Sequence, residues 1–191
     1  MLEISFGDIT HGEEYYLDAL SRMCTSNMIL PYIQSIKDRS NPKSRVSSLC
    51  ALYELYRLLE QNGIDIKDLD LAKTHSGKPY FTNSHICFSI SHTDKKFAVA
   101  ICDSDVGIDI EDKILSDEKM QSIAKRYFKA DGLEYITDRD SFLKVWTFYE
   151  AYAKMQGVGL AKIIGQAIPT ASQVNKIYKD YNGAVICVCY E

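Results

Sequence analysis

The middle of the sequence contains the run Val106-Gly-Ile-Asp-Ile-Glu111, in which apolar residues alternate with small or acidic ones. A period of two is typical of a β-strand, because successive side chains of a strand point to opposite faces. The apolar residues therefore share one face, and Gly107, Asp109 and Glu111 share the other. With Cα atoms of the two acids roughly 6.6 Å apart, both carboxylates can reach one hard cation through oxygen. A strand with one solvated acidic face is the alternative interpretation.

The order of predicted elements on either side of this run indicates an α+β fold made of two similar α/β halves. Each half reads as a strand, helices, a long helix and further strands, with the division between residues 1–104 and 105–191. Two such halves would pack as an intramolecular pseudo-dimer in a single compact unit. The cleft between them is the expected ligand site.

Hydrophobic periodicity and turn residues give the bounds of these elements. We predict helices at Glu13–Met23, Ser44–Gln61, Asp117–Phe128 and Ser141–Gln156. We predict strands at Leu2–Phe6, Ile86–Ser91, Phe97–Cys102, Val106–Glu111, Ala161–Ile168, Val174–Tyr178 and Ala184–Tyr190, with an extended segment at Lys73–Phe81.

The composition places the chain among globular proteins that can bury a core. Its 191 residues are 46% hydrophobic and 25% charged, with a formal net charge of -4. This balance offers no general attraction to nucleic acid or anionic lipid, so neither is an expected partner. The apolar runs are far shorter than the roughly 20 residues of a membrane span. The N-terminal residues lack the features of a signal peptide, so we predict a cytoplasmic protein. The six cysteines lack C-x-x-C spacing, so we interpret them as reduced core residues.

The predicted helix Ser141–Gln156 adds a third carboxylate and a cation. Trp146, Glu150 and Lys154 recur every four residues and so lie along one side of that helix. The alternative interpretation is a surface Glu150–Lys154 ion pair worth only about 0.2–0.5 kcal/mol. Both the strand and the helix therefore carry acidic groups that could serve one site.

A possible anion-binding group lies upstream. Ser91 and His92 end a strand at a turn, where hydroxyl, imidazole and backbone N–H groups can converge on an anion. Lys43 and Arg45, at the start of the long first-half helix, could add cationic donors. The alternatives are an ordinary polar turn and helix-start charges that face water.

Together these segments resemble a known family. The run Val106-Gly-Ile-Asp-Ile-Glu111, followed about forty residues later by Trp146-Thr-Phe-Tyr-Glu-Ala-Tyr-Ala-Lys154, resembles the signature of the 4′-phosphopantetheinyl transferases. Gly77-Lys-Pro-Tyr80, Ser89-Ile-Ser-His92 and the helix of Arg45 are similar to the larger, surfactin-synthetase-type branch, which is a monomeric pseudo-dimer. The resemblance spans residues 43 to about 160.

The resemblance implies a Mg²⁺-dependent enzyme. It would transfer the 4′-phosphopantetheine group from coenzyme A, its substrate, to a serine of an apo acyl, peptidyl or aryl carrier protein, releasing 3′,5′-ADP. Such enzymes serve fatty acid or secondary metabolite biosynthesis. By position, Asp109, Glu111 and Glu150 would surround the metal. Asp109, Glu150 and Lys154 would be the catalytic residues, with the cation of Lys154 acting on the transferring phosphate or the leaving group. Coenzyme A would be bound by Arg45, Lys78, Ser91 and His92, together with Lys43.

Two departures from the family pattern leave alternatives open. Tyr149 stands where the family usually has Lys, and Gly132 stands where the larger branch often has a glutamate proposed as base or metal ligand. Asp131, Glu134 or a water on the metal could then take the serine proton. The alternative function is a coenzyme A or nucleotide binding protein of the same fold with reduced or lost transferase activity.

Overall fold

The computed structural model describes residues 1–24, 29–128, 133, 135–164 and 174–191. Within them, the helices are α1 (Glu13–Met23), α2 (Leu30–Lys37), α3 (Pro42–Gln61), α4 (Asp117–Tyr127), α5 (Arg139–Met155) and α6 (Leu160–Ile163). The strands are β1 (Leu2–Asp8), β2 (Leu71–Lys73), β3 (Pro79–Phe81), β4 (Cys87–His92), β5 (Lys96–Cys102), β6 (Val106–Glu111), β7 (Asn175–Tyr181) and β8 (Ala184–Tyr190). The predicted mixture of helix and strand is confirmed.

The described strands form two antiparallel sheets of three strands and one short hairpin. The first sheet has the order β1-β5-β4, and the second has the order β6-β8-β7. The separate hairpin pairs β2 with β3. The long helix α3 contacts the first sheet through β5 and β4, and α5 contacts the second sheet through β6 and β8. Each sheet thus carries its own long helix.

The alternating faces of the strands divide the buried apolar side chains into three clusters. On β5, Val99 and Ile101 belong to the cluster shared with α1 and α3. On β8, Cys187 and Cys189 belong to the cluster under α5. The third cluster joins the two sheets and contains residues of β5, β6 and β8: Ala98, Ala100, Cys102, Val106, Ile108, Ile110, Ala184, Ile186 and Val188. The face of β6 that carries Gly107, Asp109 and Glu111 therefore points away from the inter-sheet core.

Helix α5 crosses β6 at very close range at Gly107. A methyl group added at Gly107 would overlap the carbonyl oxygen of Ala151 and the backbone nitrogen of Met155. Both obstacles are main-chain atoms of α5, so no side-chain rearrangement could remove the overlap. The lack of a side chain at Gly107 is what lets the helix approach the strand.

The α5 cap explains where that helix begins. Asp138 accepts a hydrogen bond from the Ser141 backbone N–H at 2.8 Å, and the Ser141 hydroxyl contacts the Asp138 backbone N–H at 2.9 Å. This reciprocal capping box satisfies donors that a helix start leaves without partners. Among the helices of the described ranges, none has the length and apolar character that crossing a membrane requires.

Several predicted bounds need correction. The strand predicted at Ala161–Ile168 is wrong over its described part, where α6 is helical; residues 165–168 lie outside the described ranges. A short apolar run does not distinguish helix from strand by periodicity. The segment Lys73–Phe81, predicted to be extended, contains a turn between β2 and β3. Gly77 lies in this turn and has a φ of 90°. Helix α2 was not predicted.

The prediction of core cysteines is confirmed for four of the six, because Cys24 and Cys87 are only partly buried. All six cysteines are free. Four of them, Cys50, Cys102, Cys187 and Cys189, are buried in the hydrophobic clusters.

Candidate active site

A cleft of about 340 Å³ lies where α5, β4, β6 and α3 meet. Its lining brings together six of the residues singled out in the sequence: Ser91, His92, Asp109, Glu111, Glu150 and Lys154. A neighbouring cleft of about 390 Å³ shares His92 and Glu111 with it. Volumes in this range suit a small-molecule ligand.

The centre of the cleft is a three-residue contact between β4, β6 and α5. The Lys154 ammonium donates to Asp109 Oδ1 at 2.7 Å, to the Ser91 hydroxyl oxygen at 2.9 Å and to the Ile108 carbonyl at 3.1 Å. The Ser91 hydroxyl donates to the same Asp109 oxygen at 2.8 Å. The ion pair of Lys154 is thus with Asp109 and not with Glu150, as the alternative interpretation of the sequence had it. Lys154 is held by the strand it faces, 45 residues away along the chain.

Asp109 keeps one carboxylate oxygen available for a ligand. Its side chain is 7% exposed, and Oδ2 has no hydrogen-bond partner among the described residues. Leaving a buried charged acceptor unpaired costs free energy, so such an atom marks a place where a donor or a cation binds. Oδ2 is therefore the strongest single indication of a ligand in the cleft.

The two glutamates create an acidic side of the cleft. Burial is the main cause that raises the pKa of Glu150, and the nearby Asp109 and Glu111 carboxylates add to it. The pKa of Glu111 is also raised, first by burial, although the Lys113 ammonium at 2.9 Å opposes this shift. Mutual repulsion of this kind is relieved by a cation placed among the acids.

The donor chemistry fits a hard dication such as Mg²⁺. The described residues contain no compact group of three His, Cys, Asp or Glu side chains that would hold a metal by themselves. Mg²⁺ does not require such a group, since it keeps waters and is usually bound by one or two carboxylates together with substrate phosphate oxygens. The unpaired oxygen of Asp109 and the crowded acids supply ligands of that type.

The opposite side of the cleft is cationic. The Arg39 guanidinium donates to the Ser48 hydroxyl at 2.5 Å, and that hydroxyl lies 2.8 Å from His92 Nε2. The pKa of His92 is lowered to about 4, mainly by burial, with further contributions from the charges of Lys154 and Arg39. The imidazole is therefore neutral near pH 7 and sits in a positive potential that favours an anionic ligand.

Sequence reasoning missed three residues that line this side: Tyr32, Arg39 and Ser48. Tyr32 lies on α2, and Arg39 follows the end of that helix. The signal that could have found α2 is Pro31 at a helix start, followed by the apolar spacing of Tyr32, Ile33 and Ile36.

The remaining predicted coenzyme A residues lie outside the lining of this cleft. Lys43 is 70% exposed and faces Asp94 at 3.4 Å. Arg45 is paired with Glu13 at 3.0 Å and donates to the Arg39 carbonyl at 3.0 Å, so it supports the loop that carries Arg39. Lys78 donates to main-chain carbonyls of Val106 and Met155 instead. Their roles toward a ligand stay predictions.

Tyr149 does not face the cleft. It is 1% exposed within the hydrophobic cluster under α5, and its ring centroid is 5.0 Å from that of Phe128. A lysine at this position would be buried among aromatic rings. The replacement of the family lysine by Tyr149 therefore changes the packing of the core and not the lining of the cleft. Asp131 and Glu134, the side chains considered for the proton acceptor, lie outside the described ranges, as does Gly132.

Comparison with known proteins shows what the region that carries this site is similar to. Residues 105–189 match the family model described as the 4′-phosphopantetheinyl transferase superfamily. This span contains β6, α5 and the Asp109–Lys154 contact. The resemblance predicted from the sequence is confirmed over this span.

Two curated relatives carry the same description. A Haemophilus influenzae protein named "Putative 4′-phosphopantetheinyl transferase" is 32% identical over 136 residues, which cover 66% of this chain and 57% of that protein. The "4′-phosphopantetheinyl transferase gsp" of Aneurinibacillus migulanus is 32% identical over 109 residues, or 54% of this chain and 44% of that protein. The chain spans about half the length of these relatives.

Proposed function

We propose that this chain is a 4′-phosphopantetheinyl transferase, which moves the phosphopantetheine group of coenzyme A to a serine of an apo carrier protein. The observation that supports it most is the Ser91–Asp109–Lys154 contact, set in a cleft with one cationic and one acidic side. Such a division of charge matches a pyrophosphate with a bound cation, because the cationic side can contact the phosphates and the acidic side can contact the cation. The family match of residues 105–189 covers the acidic side and Lys154.

In the proposed reaction, the carrier serine oxygen forms a bond to the β-phosphorus of coenzyme A while the bond to the 3′,5′-ADP oxygen breaks. The serine proton passes to a general base, for which Asp131, Glu134 and a water are the candidates. Lys154 would stabilise negative charge on the transferring phosphate or the leaving group, since a fixed ammonium in a partly buried site is strongly stabilising. Asp109 and Ser91 hold that ammonium in place. Mg²⁺, bound by one or two of the carboxylates of Asp109, Glu111 and Glu150 together with phosphate oxygens of coenzyme A, would supply Lewis-acid polarisation of the phosphoryl group.

Coenzyme A would lie with its 3′-phosphoadenosine end toward the cationic side of the cleft. Arg39, Ser48 and His92 form a hydrogen-bonded chain there, and Arg45 donates a hydrogen bond to the Arg39 carbonyl.

We further propose that the two sheets, each with its long helix, are the two halves of a pseudo-dimer, divided between residues 104 and 105. One chain, acting as a cytoplasmic monomer, would then carry the site.

The test combines the protein with coenzyme A, Mg²⁺ and several apo carrier proteins, followed by intact-mass measurement of each carrier. We expect a phosphopantetheine adduct on at least one carrier, and its loss when a chelator removes Mg²⁺. A transferase of known activity in parallel tubes shows that the carriers are competent. If no carrier is modified while calorimetry records coenzyme A binding, the protein is a binding protein of this fold instead.

Arg39→Gln should raise the KM for coenzyme A about tenfold or more. A hydrogen bond from a charged donor contributes roughly 1.5–3 kcal/mol, and Arg39 is the guanidinium that lines the cleft. Arg57→Gln is the matched control, because Arg57 pairs with Glu54 at 3.3 Å on α3 and is absent from the lining. Steady-state kinetics with varied coenzyme A measure both. Equal KM values for the two variants would remove Arg39 from the site.

A further inference from the structure

Lys78 joins the first half of the chain to the helix that carries the proposed catalytic lysine. Its ammonium donates to the Val106 carbonyl at 3.3 Å and to the Met155 carbonyl at 3.2 Å. Val106 begins β6, and Met155 ends α5, directly after Lys154. One side chain from the first half therefore touches both elements whose relative position sets the Lys154–Asp109 contact.

The turn that presents Lys78 is tightly built. The Gly77 N–H donates to the Thr74 carbonyl at 2.9 Å, and the Lys78 N–H donates to the Thr74 hydroxyl at 3.1 Å. Gly77 has a φ of 90°, which a residue with a side chain rarely adopts. The Ser76 hydroxyl then donates to the Gly157 carbonyl at 2.5 Å. Two side chains of one turn, Ser76 and Lys78, thus hold the C-terminal end of α5.

The chemistry of a helix end favours this arrangement. The last carbonyls of a helix have no partner within the helix and carry partial negative charge, so a cation there satisfies and stabilises them. The pKa of Lys78 is lowered by burial, as expected for an ammonium taken out of water. That burial is compensated by hydrogen bonds to carbonyls that otherwise need donors.

We propose that Lys78 is a positioning residue, which holds the end of α5 against β6 so that Lys154 reaches Asp109. This assignment differs from the coenzyme A contact implied by the family resemblance. Its catalytic consequence rests on the proposed function, whereas its structural consequence does not. The geometry predicts that removing the Lys78 ammonium loosens the last turn of α5 and misplaces Lys154.

The test compares Lys78→Met and Lys78→Arg with Lys179→Met, which removes an exposed lysine from β7. We expect Lys78→Met to lower Tm by about 3–6 °C, since about 1–2 kcal/mol corresponds to that shift in a chain of this size. Hydrogen exchange of the amides in residues 153–158 should accelerate about tenfold, with residues 47–58 of α3 unchanged. Lys78→Arg should restore most of the protection, and Lys179→Met should match wild type.

Kinetics separate positioning from ligand binding. With a carrier and coenzyme A, Lys78→Met should lower kcat about tenfold and leave the KM for coenzyme A within twofold. A tenfold rise in that KM, with Tm and exchange unchanged, would show a ligand contact and overturn the proposal. If wild-type protein modifies no carrier, the proposed function fails, yet the exchange and Tm measurements still decide the positioning role: no change in Lys78→Met overturns it.

Discussion

Asp109→Asn is expected to lower the transfer rate by about 10²–10³-fold, because it removes the negative charge at the centre of the cleft. The substitution keeps the size of the side chain and one acceptor oxygen, so the Ser91 hydroxyl can still find a partner. It removes the negative charge that orients the Lys154 ammonium at 2.7 Å. It also replaces the anionic oxygen Oδ2, which has no partner among the described residues and would serve a cation. Losses of this size follow the removal of one preorganised electrostatic contact.

The stability of Asp109→Asn should change far less than its activity. The lost ion pair is partly exposed on the lysine side, since Lys154 is 30% exposed, and we expect a free energy of unfolding lower by about 1–3 kcal/mol. Asp180→Asn, on the exposed edge strand β7, is the matched control and should be neutral.

Mg²⁺ titration of the residual activity gives a second readout for Asp109. If Oδ2 contacts the metal, the concentration of Mg²⁺ for half-maximal rate should rise at least tenfold in Asp109→Asn. A variant that turns over at nearly the wild-type rate, with an unchanged Mg²⁺ requirement, would show that the metal and catalytic assignments of Asp109 are both wrong.

Local periodicity was enough to predict the elements that form the acidic side of the site. The period of two in β6 placed Asp109 and Glu111 on one face, and i,i+4 spacing placed Glu150 and Lys154 on one side of α5. The same periodicity could have located Tyr149, since Phe142, Val145 and Tyr149 follow the spacing of a buried helical stripe.

Contacts between distant segments could not be predicted in this way. The Lys154 contact with Ser91 joins residues 63 positions apart, and the Lys78 contact with Met155 joins residues 77 positions apart. Such pairings depend on how two sheets and two long helices pack, and neither propensity nor spacing determines that packing. Arg39 was missed for a related reason, because it enters the cleft only through α2 and the loop after it.

Among the described glycines of the second half, Gly107 is expected to tolerate a methyl group least, with Gly107→Ala lowering the free energy of unfolding by about 3 kcal/mol or more. Overpacking of a core typically costs about 1–3 kcal/mol when side chains can move aside. Here the added methyl meets the main chain of α5 at Ala151 and Met155, so the helix itself must shift away from β6. That shift would carry Glu150 and Lys154 away from Asp109, and transfer should fall with stability.

The matched control for this effect is Gly159→Ala, at the start of α6. Gly159 has a φ of -70°, and a methyl group there meets nothing within 4 Å. We expect a loss below about 1 kcal/mol, because only the modest preference for glycine over alanine at a helix N-cap is affected. Urea unfolding, followed by circular dichroism and by the fluorescence of Trp146 on α5, measures both variants. Equal stability of the two variants would contradict the close crossing of α5 over β6. It would also contradict the inference that the missing side chain at Gly107 is what brings Lys154 of α5 to Asp109 of β6.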